Sequence, residues 1–87
     1  MNRARWIGFQ KEYLVLRKYE SMGYRVYRVP MSNLPFDILA VNENTKEILF
    51  IEVKSRSSRL TPRQRDFRKV IDSYPEWTVR YVVEVVD

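Results

Sequence analysis

Two apolar runs joined by a short polar segment constrain the fold of this 87-residue chain more than any other feature. Residues 36–41 and 47–54 are mostly apolar, whereas residues 42–46 have the sequence Asn-Glu-Asn-Thr-Lys, which is typical of a turn. Successive side chains of a strand point to opposite faces, so runs that are apolar on both faces predict central strands covered on both sides. We therefore expect a hairpin in the middle of a sheet.

The remaining segments predict the element order αβββαβ. Helix signals end at the C-cap residue Gly23 and start again at Thr61, where Thr-Pro-Arg-Gln matches a capping box. The predicted elements are a helix over residues 5–22, strands over 24–29, 36–41 and 47–54, a helix from Pro62, and a final strand over 77–86. This order indicates an α/β (α+β) protein with one domain, residues 1–87.

The composition excludes several functional classes. The chain has no histidine and no cysteine, so it lacks the side chains for His-based acid–base catalysis, a Ser-His-Asp triad and the usual zinc sites. Any metal must be bound by oxygen atoms, which favours a hard ion such as Mg²⁺ or Mn²⁺. No apolar stretch approaches the roughly 18 residues of a membrane span, and no secretory signal is recognisable, so we expect an intracellular, cytoplasmic protein with no membrane contact.

Two acidic residues are expected to face each other across the predicted hairpin. A turn centred on residues 44–45 pairs positions whose numbers add up to 89, which places Asp37 opposite Glu52. Like charges repel in that position, so a cation between the carboxylates explains the pair most simply. Lys54 lies two residues beyond Glu52, on the same face. The alternative is a structural salt-bridge cluster in which Lys54 and Arg56 neutralise the two acids.

Glu12 is expected on the packing face of the first helix. Its helical neighbours are apolar or aromatic, namely Phe9, Val15, Leu16 and Tyr19. An acid in such a place costs free energy unless it is compensated. The sequence is equally compatible with a metal ion and with an Arg or Lys partner in that role.

Positive charge is concentrated directly after the acidic pair. The net charge of the chain is +5, yet residues 54–69 hold seven basic residues and one acidic residue, so the rest of the chain is slightly acidic. Five of the seven are arginines, which suit phosphate binding. The cluster predicts a nucleic-acid surface, the alternative being a solvated charged helix. Its members are Lys54, Arg56, Arg59, Arg63, Arg65, Arg68 and Lys69.

Asp37 with the triplet Glu52-Val53-Lys54 resembles the signature of the PD-(D/E)XK nuclease superfamily, and the element order resembles its minimal core. The Gly8-x-x-x-Glu12 pattern and the run over residues 51–56 are most similar to archaeal Holliday-junction resolvases and small stand-alone viral or phage nucleases. One departure is that Phe36 separates Pro35 from Asp37, whereas the proline of the family commonly precedes the acid directly. The resemblance implies a restriction-endonuclease-like core with a mixed central sheet flanked by helices.

The resemblance also implies the ligands of a catalytic Mg²⁺ ion, for which Mn²⁺ can substitute. Asp37, Glu52 and the carbonyl of Val53 coordinate the metal in this interpretation. Glu12 binds it directly, through water or at a second position. Lys54 orients or activates the attacking water.

Two accessory residues have less specific support. Ser32 aligns loosely with a loop serine that assists cleavage in the resolvases. Gln64 has two interpretations, since a glutamine on the second helix contributes to the site in several branches of the superfamily, yet the capping box explains it without a function.

The substrate and the assembly are also implied by the resemblance. The implied substrate is branched DNA, such as a four-way junction. The implied assembly is a symmetric homodimer, of archaeal, viral or phage origin. The sequence itself leaves Trp6, Trp77 and the apolar final strand as alternatives for the interface. DNA is expected to contact Arg56, Arg59, Arg63, Arg65 and Lys69. The alternatives are a nuclease acting on single strands, ends or specific duplex sites, a non-catalytic DNA-binding module, and a protein-interaction domain with a basic surface.

Overall fold

The computed structural model describes residues 3–29, 34–56 and 58–87, and it confirms the predicted α+β order αβββαβ. No helix in this part of the chain is long and apolar enough to cross a membrane. The elements are helix α1 (Arg3–Ser21), strands β1 (Arg25–Arg28), β2 (Ile38–Asn42) and β3 (Glu47–Lys54), helix α2 (Pro62–Asp72) and strand β4 (Val79–Val85).

The four strands form one mixed sheet in the order β1-β2-β3-β4. Strands β1, β2 and β3 are antiparallel neighbours, whereas β4 runs parallel to β3. A parallel neighbour requires a crossover connection, and α2 supplies it. The apolar strands β2 and β3 are therefore central, as their sequences predict.

The register of the central hairpin is the predicted one. Ile38 pairs with Ile51 at one end and Asn42 with Glu47 at the other. The carboxamide oxygen of Asn42 accepts the backbone N–H groups of Asn44 and Thr45, at 3.0 and 3.1 Å. This side chain fixes the turn, and the turn determines which residues of β2 and β3 face each other.

The two faces of the sheet are covered by different layers. Helix α1 packs on one face, where the core consists of Val15, Tyr19, Ile38, Ala40, Leu49 and Ile51. Tyr19 also ties α1 to β4, because its hydroxyl donates a 2.7 Å hydrogen bond to Glu84. Helix α2 lies on the other face, where aromatic rings from the sheet and from α2 pack together: Phe36, Phe50, Phe67 and Tyr81. We call this group the aromatic cluster.

Strand β4 begins at Val79, two residues later than the sequence predicts. The ring of Trp77 stacks on Tyr74 with 4.2 Å between ring centroids. The N–H of Trp77 donates to the carbonyl of Tyr74 at 3.1 Å. These local contacts keep Trp77 in the turn that follows α2, and they outweigh its strand propensity.

The predicted capping box of α2 is confirmed. The Thr61 hydroxyl accepts the N–H of Gln64 at 3.2 Å, and the Gln64 side-chain oxygen accepts the N–H of Thr61 at 2.8 Å. Each side chain thus satisfies one backbone donor that the first helical turn leaves unpaired.

Replacing Thr61 by alanine is expected to lower the free energy of unfolding by about 1 kcal/mol, because it removes the cap acceptor. Urea denaturation followed by circular dichroism measures this change. Thr45→Ala is the matched control, since the Thr45 hydroxyl makes an exposed hydrogen bond to the Glu47 side chain, and a decrease below about 0.5 kcal/mol is expected there. Equal decreases in both variants would contradict a stabilising cap.

Candidate active site

Asp37 lies directly before the first residue of β2, where the sheet holds its backbone from both sides. Its N–H donates to the carbonyl of Ile51 and its carbonyl accepts the N–H of Val29, both at 2.8 Å. Strands β3 and β1 therefore fix Asp37 between them, although the element itself starts one residue later than Asp37.

The Asp37 carboxylate extends the β2–β3 pairing beyond the last backbone bond. Its Oδ2 accepts the N–H of Val53 at 2.8 Å, in the place of a backbone carbonyl. The N–H and C=O of a strand residue point to the same neighbour, so the carbonyl of Val53 is also directed towards the Asp37 side of β3. The sequence prediction of a carboxylate beside this carbonyl is consistent with that backbone geometry.

Glu52 is the most deeply buried acid of the site. It is 5% exposed, and its Oε2 has no hydrogen-bond partner among the described residues. Burial, followed by the hydrogen bond to Asp37 and the charge of Asp37, raises the pKa of Glu52 from 4.5 to about 8, whereas the charge of Lys54 lowers this pKa. A buried carboxylate facing another costs free energy unless a proton or a cation compensates it.

Glu12 has the basic partner that the packing argument requires, and the partner is Arg28. The Nε of Arg28 lies 3.4 Å from Glu12 Oε1. Burial and the charge of Asp37 nevertheless raise the pKa of Glu12, while Arg28 lowers it. Glu12 is thus ion-paired with Arg28. It is also close enough to Asp37 for the charge of Asp37 to raise the pKa of Glu12. Its role as a metal ligand stays a prediction.

Lys54 and Arg56 do not neutralise the acidic pair through direct ion pairs in the part of the chain that the structure describes. Arg56 instead binds the Asp87 carboxylate, with Nη2 2.7 Å from Oδ2. Lys54 lowers the pKa of Glu52 through its charge without an ion pair within 4.0 Å. The salt-bridge cluster considered as an alternative is therefore not the arrangement that this structure contains.

The basic side chains of the segment after β3 are mostly exposed. The ring of Phe67 on α2 packs against Phe36 and Phe50, which places α2 on the sheet face that carries Glu52. The side chains of Arg59, Arg63, Arg65 and Lys69 are exposed around it. Among the basic residues of this segment, Lys54 is the one whose charge acts on Glu52. The contact of these side chains with DNA stays a prediction.

The two accessory residues have different outcomes. Ser32 lies outside the described residues. Gln64 is buried and its side-chain oxygen is used in the cap of α2, so the structural interpretation of this glutamine is confirmed. A contribution of Gln64 to the site stays a prediction.

Sequence reasoning missed Tyr81, whose hydroxyl donates a 2.6 Å hydrogen bond to the carbonyl of Pro35. A tyrosine within a buried apolar strand needs a partner for its hydroxyl, and that requirement is a usable signal. No sequence signal identifies the partner, because 46 residues separate Tyr81 from Pro35.

The oxygen atoms at this site suit a hard divalent cation. No group of three or more acidic residues able to hold a metal ion occurs in the described ranges. Magnesium, however, commonly uses only one or two carboxylates and completes its coordination with water and substrate phosphate. Asp37, the unpaired Glu52 oxygen and the Val53 carbonyl fit that requirement.

Comparison with known proteins places the chain in a family. Residues 5–84 match the family model described as an endonuclease related to archaeal Holliday junction resolvase. The chain belongs to this family of Holliday-junction-resolvase-related endonucleases, which confirms the predicted relationship. No curated protein and no solved structure matches it significantly.

The raised pKa of Glu52 predicts that stability without divalent cations falls as pH increases from 4.5 to about 8. The folded state binds the Glu52 proton more tightly than the unfolded state, so the stabilisation is fully present below pH 4.5 and is lost above about pH 8. Melting temperatures measured in EDTA between pH 5 and 8 test this, with Glu52→Gln as control. The variant cannot titrate at this position, so it should lose less stability; equal pH dependence would contradict the assignment.

Proposed function

We propose that this chain is a magnesium-dependent endodeoxyribonuclease whose active site is the Asp37–Glu52 pair with Lys54. The observation that supports the proposal most is the buried Glu52 oxygen, which has no donor among the described residues and lies close to a second carboxylate. Repulsion between the two carboxylates does not stabilise the fold, whereas a cation-binding site needs carboxylates that lie close together. The family relationship supplies independent support for nuclease activity.

Asp37, Glu52 and the Val53 carbonyl would hold the metal. When bound, the metal supplies a water of lowered pKa and neutralises charge on the scissile phosphate. The protein's own contribution is to fix the acceptors, and Asp37 is fixed by backbone bonds to two strands and by the Val53 N–H. Glu12, which retains Arg28 as its partner, is proposed to orient water at the edge of the site.

Lys54 is proposed to stabilise the charge that develops on the phosphate. Its ammonium group is close enough to Glu52 to lower the pKa of that carboxyl. A cation held beside the reacting phosphate, in a site partly closed to water, is more effective than one in bulk solvent. Lys54 also orients the attacking water in this proposal.

The DNA surface is proposed to consist of the exposed basic residues that follow β3. Arg59, Arg63, Arg65 and Lys69 are exposed, and in this proposal they contact phosphates of the bound DNA. Arg56 is also exposed, and its pairing with Asp87 is a solvent-accessible ion pair. Such pairs stabilise a protein little, so Arg56 can exchange Asp87 for a phosphate at small cost.

Branched DNA and a homodimer complete the proposal. The description of the family relates it to Holliday junction resolvases, and paired incisions of a four-way junction require two active sites. An isologous pair of this small domain supplies them and buries additional surface. Trp77 is 53% exposed and Val85, on the edge strand β4, is 59% exposed, so both remain candidates for the interface, whereas the side chain of Trp6 lies outside the described part.

Glu52→Gln is expected to reduce cleavage of a labelled four-way junction in Mg²⁺ by more than about 100-fold, the upper range for residues that merely support a ligand. Asp37→Asn and Lys54→Ala should have comparable effects. Glu43→Gln is the matched control, because it makes the same change at the exposed hairpin turn. Binding of the junction in EDTA should be retained by all four variants.

The same assay with duplex and single-stranded DNA tests the substrate. Symmetric paired cuts on the junction alone are expected. Equal cutting of all three substrates would contradict the selectivity for branched DNA. Cutting in EDTA would contradict the dependence on a metal ion. Retained activity in Asp37→Asn or Lys54→Ala would exclude that residue from the mechanism.

Arg63→Ala and Arg65→Ala are each expected to weaken junction binding, because each removes a cation that neutralises a phosphate. The slope of log K against log salt should become shallower by roughly 0.9 for each phosphate that the variant no longer neutralises. Binding measured in EDTA between about 50 and about 200 mM salt provides this slope. Arg17→Ala is the control, since Arg17 lies on α1 and pairs with Glu20. An unchanged slope in the α2 variants would place the DNA surface elsewhere.

A further inference from the structure

Tyr81 connects β4 to the segment that leads into Asp37. Its side chain is 8% exposed, and its hydroxyl donates a 2.6 Å hydrogen bond to the carbonyl of Pro35, two residues before Asp37. Strand β4 neighbours β3 and not β2, so no backbone ladder joins β4 to this segment. The tyrosine side chain spans β3 to reach it.

The aromatic cluster holds the same segment from the side of α2. Phe36, which immediately precedes Asp37, packs on Phe50 at 4.9 Å and on Phe67 at 5.7 Å between ring centroids. Phe67 in turn packs on Tyr81 at 5.7 Å. Tyr81 pairs in register with Phe50. The two residues before Asp37 are thus fixed by one hydrogen bond and by a group of rings.

The hydroxyl of Tyr81 lies within the electrostatic reach of the acidic pair. Burial, followed by the charges of Glu52 and Asp37, raises the pKa of Tyr81 above its ordinary value. The hydroxyl therefore keeps its proton and remains a donor to the buried Pro35 carbonyl throughout the neutral range.

We propose that Tyr81 is a positioning residue for Asp37, acting through Pro35. The inference rests on the function proposed above. The regular β2–β3 ladder ends at Ile38, and the last backbone bond is donated by Asp37 itself. The end of a strand opens more readily than its middle, and Tyr81 holds the chain at the point where this opening would begin.

The consequence of removing this bond is a looser Asp37 carboxylate. The 2.8 Å hydrogen bond from the Val53 N–H to Asp37 Oδ2 should weaken when this carboxylate becomes looser. Magnesium tolerates little deviation from octahedral geometry, so a carboxylate that leaves its place part of the time binds the ion more weakly. Binding of DNA through the exposed arginines does not depend on this contact.

Tyr81→Phe tests the inference, because it removes the hydroxyl and keeps the ring of the aromatic cluster. Tyr19→Phe is the matched control. Tyr19 is 6% exposed, and its hydroxyl donates a 2.7 Å bond to Glu84 on the opposite face. Each variant removes one hydroxyl hydrogen bond of a buried tyrosine, and each should melt roughly 5 °C lower than the parent protein.

Four measurements separate a positioning role from general destabilisation. In Tyr81→Phe the Val53 amide proton should exchange with solvent about 10-fold faster, without metal or DNA. The dissociation constant for Mn²⁺, measured by calorimetry, should rise about 10-fold, and the single-turnover cleavage rate at saturating DNA should fall about 10-fold. Junction binding in EDTA should change less than twofold. In Tyr19→Phe the exchange of Val53, the Mn²⁺ affinity and the cleavage rate should stay at parental values.

Equal Val53 exchange and equal Mn²⁺ affinity in the two variants would overturn the inference. If the parent protein neither binds Mn²⁺ nor cleaves DNA, the proposed function fails, while Val53 exchange still decides whether Tyr81 positions Asp37. Should Tyr81→Phe not fold, Phe67→Leu loosens the packing on Phe36 and keeps the hydroxyl. Faster Val53 exchange is then expected in that variant, and parental exchange would contradict the inference.

Discussion

Asp37 and Glu52 are held close together by the backbone around them, and two carboxylates at this distance repel each other unless a proton or a cation compensates their charge. Asp37 is tied to Ile51, Val29 and Val53 by hydrogen bonds of 2.8 Å. It therefore cannot move away from Glu52 without breaking sheet contacts. Protonation of Glu52 relieves the free-energy cost of this arrangement, and the metal ion proposed above would relieve it in the same way.

The two faces of the sheet contribute unequally to the stability of the fold and to the candidate site. The face under α1 has a continuous apolar core, with Ile38 and Ile51 fully buried, and it supplies most of the burial that stabilises the fold. The face under α2 carries the aromatic cluster and Glu52. The central hairpin therefore contributes both to the core and to the candidate site.

The hairpin can be predicted from the sequence because its determinants are local. The turn at Asn42 sets the register of β2 and β3 without reference to the rest of the chain. For the same reason the capping box at Thr61 is predictable, since all of its bonds lie within four residues. The family signature on the hairpin then indicates the correct class of endonuclease.

Features that depend on distant segments cannot be predicted in this way. The sequence predicts that Glu12 needs either a metal or a basic partner, and the choice of Arg28 follows from how α1 meets β1. Arg56 binds Asp87 rather than the acidic pair, which depends on where the chain runs after β4. Tyr81 bonds to Pro35 across β3. In each case the residue type is informative, but only the tertiary arrangement identifies the partner.

The parallel placement of β4 beside β3 has a consequence for the order in which the protein matures. Contacts between segments far apart in sequence form slowly, because a long loop must close before they contribute. A folding intermediate that contains the hairpin but not yet β4 would bring the two acids together without the tyrosine that secures them. Under the role proposed for Tyr81, such an intermediate would hold the Asp37 carboxylate less firmly than the complete fold does.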